Sequence, residues 1–313
     1  MAEETAESPK RRLRVLFMGT PEFAVASLEK ILEHGYTVPL VVTTPDRAKG
    51  RGLRLTPSAV KEAATRHNIP VLTPERMKDP DVAQAIRQAN ADIICVVAFR
   101  ILPESVFTIP RLGSFNLHGS LLPKYRGAAP INWAIINGDT ETGVTTFFLK
   151  QKVDTGNVIV RRAIPITPEM TAGQLHDVMM HVGAAAVVDT LRMIEQGAAN
   201  PLPQDDQQAT PAPKIFRNDC QVDWGRPAES VHNFIRGLSP HPGAFTLHNG
   251  RTLKLFRSQL TDRTDIPAGV IRIQPNALLI GTGTVALSIT ELQQEGKRAM
   301  GVEEFLRGYQ AGK

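Results

Sequence analysis

Apolar residues first gather in a continuous block, Leu13 to Met18, and then recur at helical spacing from Pro21 to Glu33, where Gly35 stands ready to end the helix. The alternation of block and helical period continues. It predicts strands at Val38–Thr43, Ile69–Leu72 and Ile93–Ala98, with helices at Pro57–Arg66 and Pro80–Gln88 between them. A β-α-β-α order implies a parallel sheet with helices on both faces. From Ser114 to His118 the period changes to two, because Phe115 and Leu117 alternate with Asn116 and His118. In a strand, that spacing turns both polar side chains to one side. The following stretch is rich in Gly and Pro, so the strand ends at about His118. A helix at Ala129–Ile136, strands at Val144–Leu149 and Val158–Ile164, and a helix at Thr171–Ile194 complete one doubly wound α/β domain over residues 13–197.

The pattern then breaks. Residues 198–214 contain four prolines, two aspartates, three glutamines and almost no large apolar side chain, which is linker composition. Beyond them a helix at Ala228–Gly237 precedes five short apolar stretches, Ala244–His248, Thr252–Ser258, Gly269–Ile273, Ala277–Gly281 and Val285–Leu292. Short, closely spaced strands predict a small barrel over 215–313. Residues 1–12 carry charge and no apolar stretch, so they read as a disordered tail rather than a secretory signal.

Composition bounds the chemistry. With 313 residues, 42% of them hydrophobic, the chain can bury a substantial core, and no apolar run is long enough for a membrane span. Cys95 and Cys220 lack metal-ligand spacing, which fits a reducing cytoplasm without structural disulfides or zinc, and no bound metal is expected. The net charge of +5 has the sign expected of a phosphate-rich partner, and also suits a solubilising surface. Gly19-Thr20-Pro21 at the first strand-to-helix turn has none of the further glycines of a dinucleotide fingerprint. Phosphate-loop, zinc-protease and hydrolase-elbow motifs are absent as well.

What remains is Asn116 and His118 at a strand end, with Asp154 at a turn after a second strand. These groups suit acyl transfer without a covalent enzyme intermediate. A carboxamide and an imidazolium can hold a developing oxyanion, and a carboxylate can orient the imidazole or accept a proton. Asp154 could instead merely cap the turn made with Thr155 and Gly156.

The run from Asn116 to Gly127, Asn-Leu-His-Gly-Ser-Leu-Leu-Pro-Lys-Tyr-Arg-Gly, followed by Asp154-Thr155-Gly156, resembles the folate-dependent formyltransferases. Further likeness lies at Phe17–Phe23, Pro45–Gly52 and Gly296–Met300, so it spans nearly the whole chain. The resemblance implies a Rossmann-like catalytic domain and an OB-like, tRNA-binding second domain. It implies 10-formyltetrahydrofolate as formyl donor and the α-amine of methionyl initiator tRNA as acceptor. Asn116, His118 and Asp154 are then the catalytic residues, and Ser120, Leu121, Leu122 and Pro123 line the folate cleft, although simple turn duty remains open for that loop. Tyr125 and Arg126 read as anchors of the loop. Arg47, Lys49 and Arg51 form a flexible cationic loop suited to tRNA phosphates, or a solvated basic loop. Arg236, Lys254, Arg257, Lys297 and Arg298 are candidates to extend the basic track. One departure is Ala98–Pro103, which is one residue shorter than usual and carries Arg100 in place of Gly. Two rivals share these features: a formyltransferase acting on a nucleotide sugar or other small amine, and a non-catalytic folate- or RNA-binding protein. A monomer is the default expectation.

Overall fold

The computed structural model describes residues 12–49 and 54–308, with Lys49 and Arg54 described by their backbone alone. The expected tail therefore lies outside the described residues except for Arg12, and so does Arg51. In chain order the first elements are β1 (Val15–Gly19), α1 (Glu22–Glu33), β2 (Val41–Val42), β3 (Arg47–Lys49), β4 (Arg54–Thr56), α2 (Ala59–Arg66), β5 (Val71–Leu72), α3 (Pro80–Gln88) and β6 (Ile93–Val97). They continue with α4 (Glu104–Phe107), β7 (Ser114–His118), β8 (Arg126–Gly127), α5 (Pro130–Ile136), β9 (Glu141–Phe148), β10 (Val158–Pro165) and α6 (Ala172–Glu195). The rest comprises β11 (Pro211–Ala212), α7 (Ala228–Gly237), β12 (Ala244–His248), β13 (Arg251–Leu260), β14 (Ile271–Gln274), β15 (Ala277–Ile280), β16 (Leu287–Gln294), β17 (Met300–Gly301) and α8 (Val302–Gly308).

The chain divides into two compact units. One comprises the described residues up to Pro123 together with Gly143–Arg162 and Met179–Ala209; the other takes Lys124–Thr142, Ala163–Val178 and the chain from Thr210 onward. The first unit centres on a seven-stranded sheet ordered β10-β9-β7-β6-β1-β2-β5. From β5 to β7 neighbouring strands are parallel, as the alternating pattern predicts, but β9 runs antiparallel to β7. Period and composition reveal that β9 is a strand and not which way it runs; the parallel order inferred from the β-α-β-α stretch holds for the strands of that stretch.

Every residue of β1 and β6 is buried, which is why these central strands are continuous apolar runs rather than alternating ones. Leu16 and Met18 of β1, with Ile94 and Val96 of β6, pack on one face against Val82 and Ile86 of α3 and Val106 and Phe107 of α4. On the other face Gly19 lets α1 approach closely: a Cβ there would meet Ala24 Cβ at 2.7 Å and the Val97 carbonyl at 3.0 Å. The chain leaves β1 toward β2 and β5, then returns to build β6 and β7 on the other side. In open sheets of this kind ligands usually bind where the strand order reverses, here at the carboxyl ends of β1 and β6.

In the second unit, β12 to β17 form a six-stranded sheet in which β16 pairs with β13, β15 and β17. Register shifts between Leu255 and Ser258 bend β13, and the sheet curls into half of an OB-like barrel. Its concave core of Leu253, Leu255, Leu278 and Ile289 takes Val231 and Ile235 of α7. Arg236 of the same helix is buried, donating to Asn233 Oδ1 at 2.8 Å and to the Met170 carbonyl at 2.9 Å. Its charge closes a structural joint, which removes it from the surface track that the sequence allows. Arg257 and Arg298 face Glu291 and Glu304 at 3.4 and 2.6 Å.

Candidate active site

Strand β7 places Asn116 beside Val96 on one edge and Phe147 on the other, and His118 opposite Thr145 of β9. Period-two geometry turns Asn116, His118 and Thr145 to the same side of the sheet. His118 is buried and Asn116 half-buried. The turn between β9 and β10 carries Asp154, which has a left-handed φ of +55°, a conformation that short polar side chains tolerate better than most. The His118 Nδ1 atom lies 3.9 Å from Asp154 Oδ2, with only 7% and 11% of the two side chains exposed. That separation suits an ion pair when the imidazole is charged. It is longer than a hydrogen bond.

Three local devices hold this corner. Gly156 fits only because it lacks a Cβ, since one built there would run into the Phe148 carbonyl oxygen. The Gln204 carboxamide donates to the carbonyls of Asp154 and Gly156 at 2.9 and 2.8 Å. The Thr145 hydroxyl donates to the Ser120 carbonyl at 2.7 Å and accepts the Leu122 N–H at 3.1 Å. Thr145 thereby fixes the loop directly after His118. Within that loop Ser120 and Leu122 point inward and are fully buried, while Leu121 and Pro123 are half-buried; the Leu122–Pro123 peptide is cis. The sequence did not single out Thr145 or Gln204. Thr145 reads as one strand residue among several, and Gln204 sits in a stretch with the composition of a linker.

Tyr125 and Arg126 belong to the second unit and act as anchors there. The Tyr125 hydroxyl donates to Asp139 Oδ2 at 2.9 Å, its N–H donates to Thr210 Oγ1 at 2.9 Å, and the Arg126 N–H donates to the Thr210 carbonyl at 2.9 Å. Burial pushes the Tyr125 phenol up to about 12, so it stays a neutral donor. After β6, the Arg100 guanidinium stacks on Phe99 and donates to the carbonyls of Pro74 and Glu75, tying two loops of the first unit together. Burial lowers its pKa somewhat.

The two ends of the basic loop are strands rather than irregular chain. β3 and β4 form an antiparallel hairpin stem in which Arg47 pairs with Thr56, Ala48 with Leu55 and Lys49 with Arg54. Its base is held by Lys61 Nζ, which lies 2.8 Å from both carboxylate oxygens of Asp46. Arg47 and Leu55 are exposed on this stem. Cys95 and Cys220 are both buried free thiols, and burial raises the pKa of each. Among the described residues no group of three His, Cys, Asp or Glu side chains is arranged to hold a metal, and no helix is long and apolar enough to cross a membrane.

Comparison with known proteins agrees with this architecture. Residues 11–191 match the formyl transferase family and residues 214–310 match the formyl transferase C-terminal domain. The chain is 45% identical over 311 residues to the methionyl-tRNA formyltransferase of Bacteroides fragilis, covering 96% of each. It is also 45% identical over 298 residues to that of Geobacter sulfurreducens, covering 95% of this chain and 94% of the relative. Among solved structures, HypX from Aquifex aeolicus in complex with tetrahydrofolic acid superposes with a TM-score of 0.63 at 20% identity; 95% of this chain matches 48% of that longer one. At that identity the likeness concerns the fold alone. The match of both domains and the near-complete coverage at 45% identity have one consequence: this chain belongs to the formyl transferase family.

Proposed function

We propose that this protein transfers the formyl group of 10-formyltetrahydrofolate to the α-amine of methionyl initiator tRNA, yielding formylmethionyl-tRNA for translation initiation. The observation that carries this reading is the buried His118–Asp154 pair, 3.9 Å apart, on the side of the sheet to which Asn116 also turns. The identity of 45% to methionyl-tRNA formyltransferases along almost their whole length supports this acceptor over a sugar amine. In the proposed reaction the neutral amine attacks the formyl carbon, forming a C–N bond and a tetrahedral oxyanion. Asn116 and charged His118 stabilise that oxyanion. Asp154 orients the imidazole and helps remove the proton of the attacking amine. Collapse breaks the bond from the formyl carbon to N10, and N10 takes up a proton, leaving the formylated amine and tetrahydrofolate.

In this reading residues 13–197 carry the chemistry, with Ser120, Leu121, Leu122 and Pro123 lining the folate cleft by backbone and apolar contact. Residues 215–313 and the loop with Arg47, Lys49 and Arg51 engage tRNA, and residues 198–214 join the two domains. We take the enzyme to be a cytoplasmic monomer that needs no metal. The direct test supplies labelled 10-formyltetrahydrofolate with methionyl initiator tRNA, methionyl elongator tRNA and a sugar amine as parallel acceptors. Label on initiator tRNA alone is expected. Label on the sugar alone would retain the chemistry and overturn the acceptor, and folate binding without any transfer would leave a binding protein.

A further inference from the structure

The stretch from Ala198 to Thr210 has linker composition, but its middle is hydrogen-bonded to the turn that carries Asp154. The Val158 N–H donates to the Leu202 carbonyl at 2.8 Å and the Leu202 N–H donates back at 2.9 Å, an antiparallel bridge at the first residue of β10. Two residues on, one carboxamide nitrogen of Gln204 reaches the carbonyls of Asp154 and Gly156 at 2.9 and 2.8 Å. A carboxamide nitrogen carries two N–H groups, so a single planar group can restrain the backbone on both sides of Thr155.

The turn needs an external restraint. Asp154 has a left-handed φ of +55°, a region that non-glycine residues occupy at a cost and keep only when the surroundings hold them there. Its Oδ2 atom already sits at the outer limit of ion-pair distance, 3.9 Å from His118 Nδ1. A small relaxation of the turn would carry the carboxylate out of range. We infer that Gln204 is a positioning residue for catalysis: its carboxamide clamps the Asp154–Gly156 turn and so holds the Asp154 carboxylate against His118. The inference rests on the catalytic role proposed for Asp154.

The test uses Gln204→Met, which keeps the side-chain length and removes both donors, and Gln204→Glu, which keeps the shape and has no N–H to give. In both variants kcat is expected to fall roughly tenfold to a hundredfold, the scale of a misplacement of about 1 Å, with KM for 10-formyltetrahydrofolate within about twofold of wild type. Because Gln204 acts through Asp154, adding Gln204→Met to Asp154→Asn should slow the enzyme no further. The amide order parameters of Thr155 and Gly156 should drop from the rigid range in Gln204→Met, whether or not the protein turns over. A Gln204→Met enzyme with wild-type kcat beside an impaired Asp154→Asn would overturn the clamp, as would a loss that multiplies in full onto Asp154→Asn. If Asp154→Asn itself kept wild-type kcat, the role of Asp154 would fall, and the catalytic meaning of Gln204 with it. If the wild-type protein transferred no formyl group, the functional reading would fail, and unchanged order parameters would independently remove the clamp.

Discussion

The corner that holds His118 and the hairpin that presents Arg47 belong to the same compact unit, but they are built on opposite lines. At the corner, the side chains of His118 and Asp154 are 7% and 11% exposed, Gly156 is locked against Phe148, and Thr145 and Gln204 pin the two neighbouring loops. At the hairpin, three residue pairs make a stem whose base is tied by Asp46 and Lys61, while Leu55 is 75% exposed. Under the proposed function the corner stabilises a transient oxyanion, which requires donors already in place when charge develops, and restrained, largely buried parts suit that task. Binding a phosphate backbone sums many interchangeable charges and tolerates an exposed scaffold. If the comparison holds, substitutions at the corner change turnover or folding, and those at the hairpin change affinity and its salt dependence.

The largest effect is expected of Gly156→Ala, because the new methyl group has no room beside the Phe148 carbonyl and must displace the Asp154 turn. Overpacking of this kind typically costs about 1–3 kcal/mol, and the moved carboxylate should lower kcat by more than about a hundredfold. Thermal unfolding and formyl-transfer kinetics measure the two parts separately. Asn116→Ala comes next. Loss of one oxyanion donor costs about 2.7–4 kcal/mol in the transition state, so kcat should fall on the order of a hundredfold or more with folate affinity retained. An Asn116→Ala enzyme with near-normal turnover would break the comparison at its strong end.

Thr145→Val is a milder probe of the same corner. It leaves the Ser120 carbonyl and the Leu122 N–H without their hydroxyl partner in the interior, which should cost about 1–3 kcal/mol in denaturant unfolding and raise KM for folate. Thr145→Ser keeps the hydroxyl and should restore most of both. Thr145 also marks the boundary of what the sequence discloses. The period of two shows that Asn116 and His118 share a side, and the apolar block Ile93–Val97 reads as a buried central strand, because those signals are local. The antiparallel course of β9, the pairing of Thr145 with His118 and the reach of Gln204 to Asp154 depend on partners far along the chain. Neither spacing nor composition encodes such pairings. The stem of the basic hairpin is hidden for a related reason: two glycines and a crowd of cations look like a flexible loop, and only the brief alternations Arg47-Ala48-Lys49 and Arg54-Leu55-Thr56 mark it as strand.

The smallest effect on the fold, and the sharpest test of the other half of the comparison, is expected of Arg47→Ala. Arg47 is exposed on a short stem, so its truncation should change stability by no more than about 0.5 kcal/mol. If the residue neutralises one tRNA phosphate, KM for methionyl initiator tRNA should rise while kcat at saturation and KM for folate stay level. The slope of log affinity against log salt should flatten by about 1, the signature of one lost phosphate contact. Measuring KM for tRNA at several salt concentrations separates this from a general loss of fit, which would weaken binding equally at every salt. An unchanged slope would make the hairpin a solvated surface, and the division between a rigid chemical corner and an electrostatic docking arm would have to be sought on the second unit instead. A fall in kcat with an unchanged slope would erase the division altogether, because the hairpin would then behave as part of the corner.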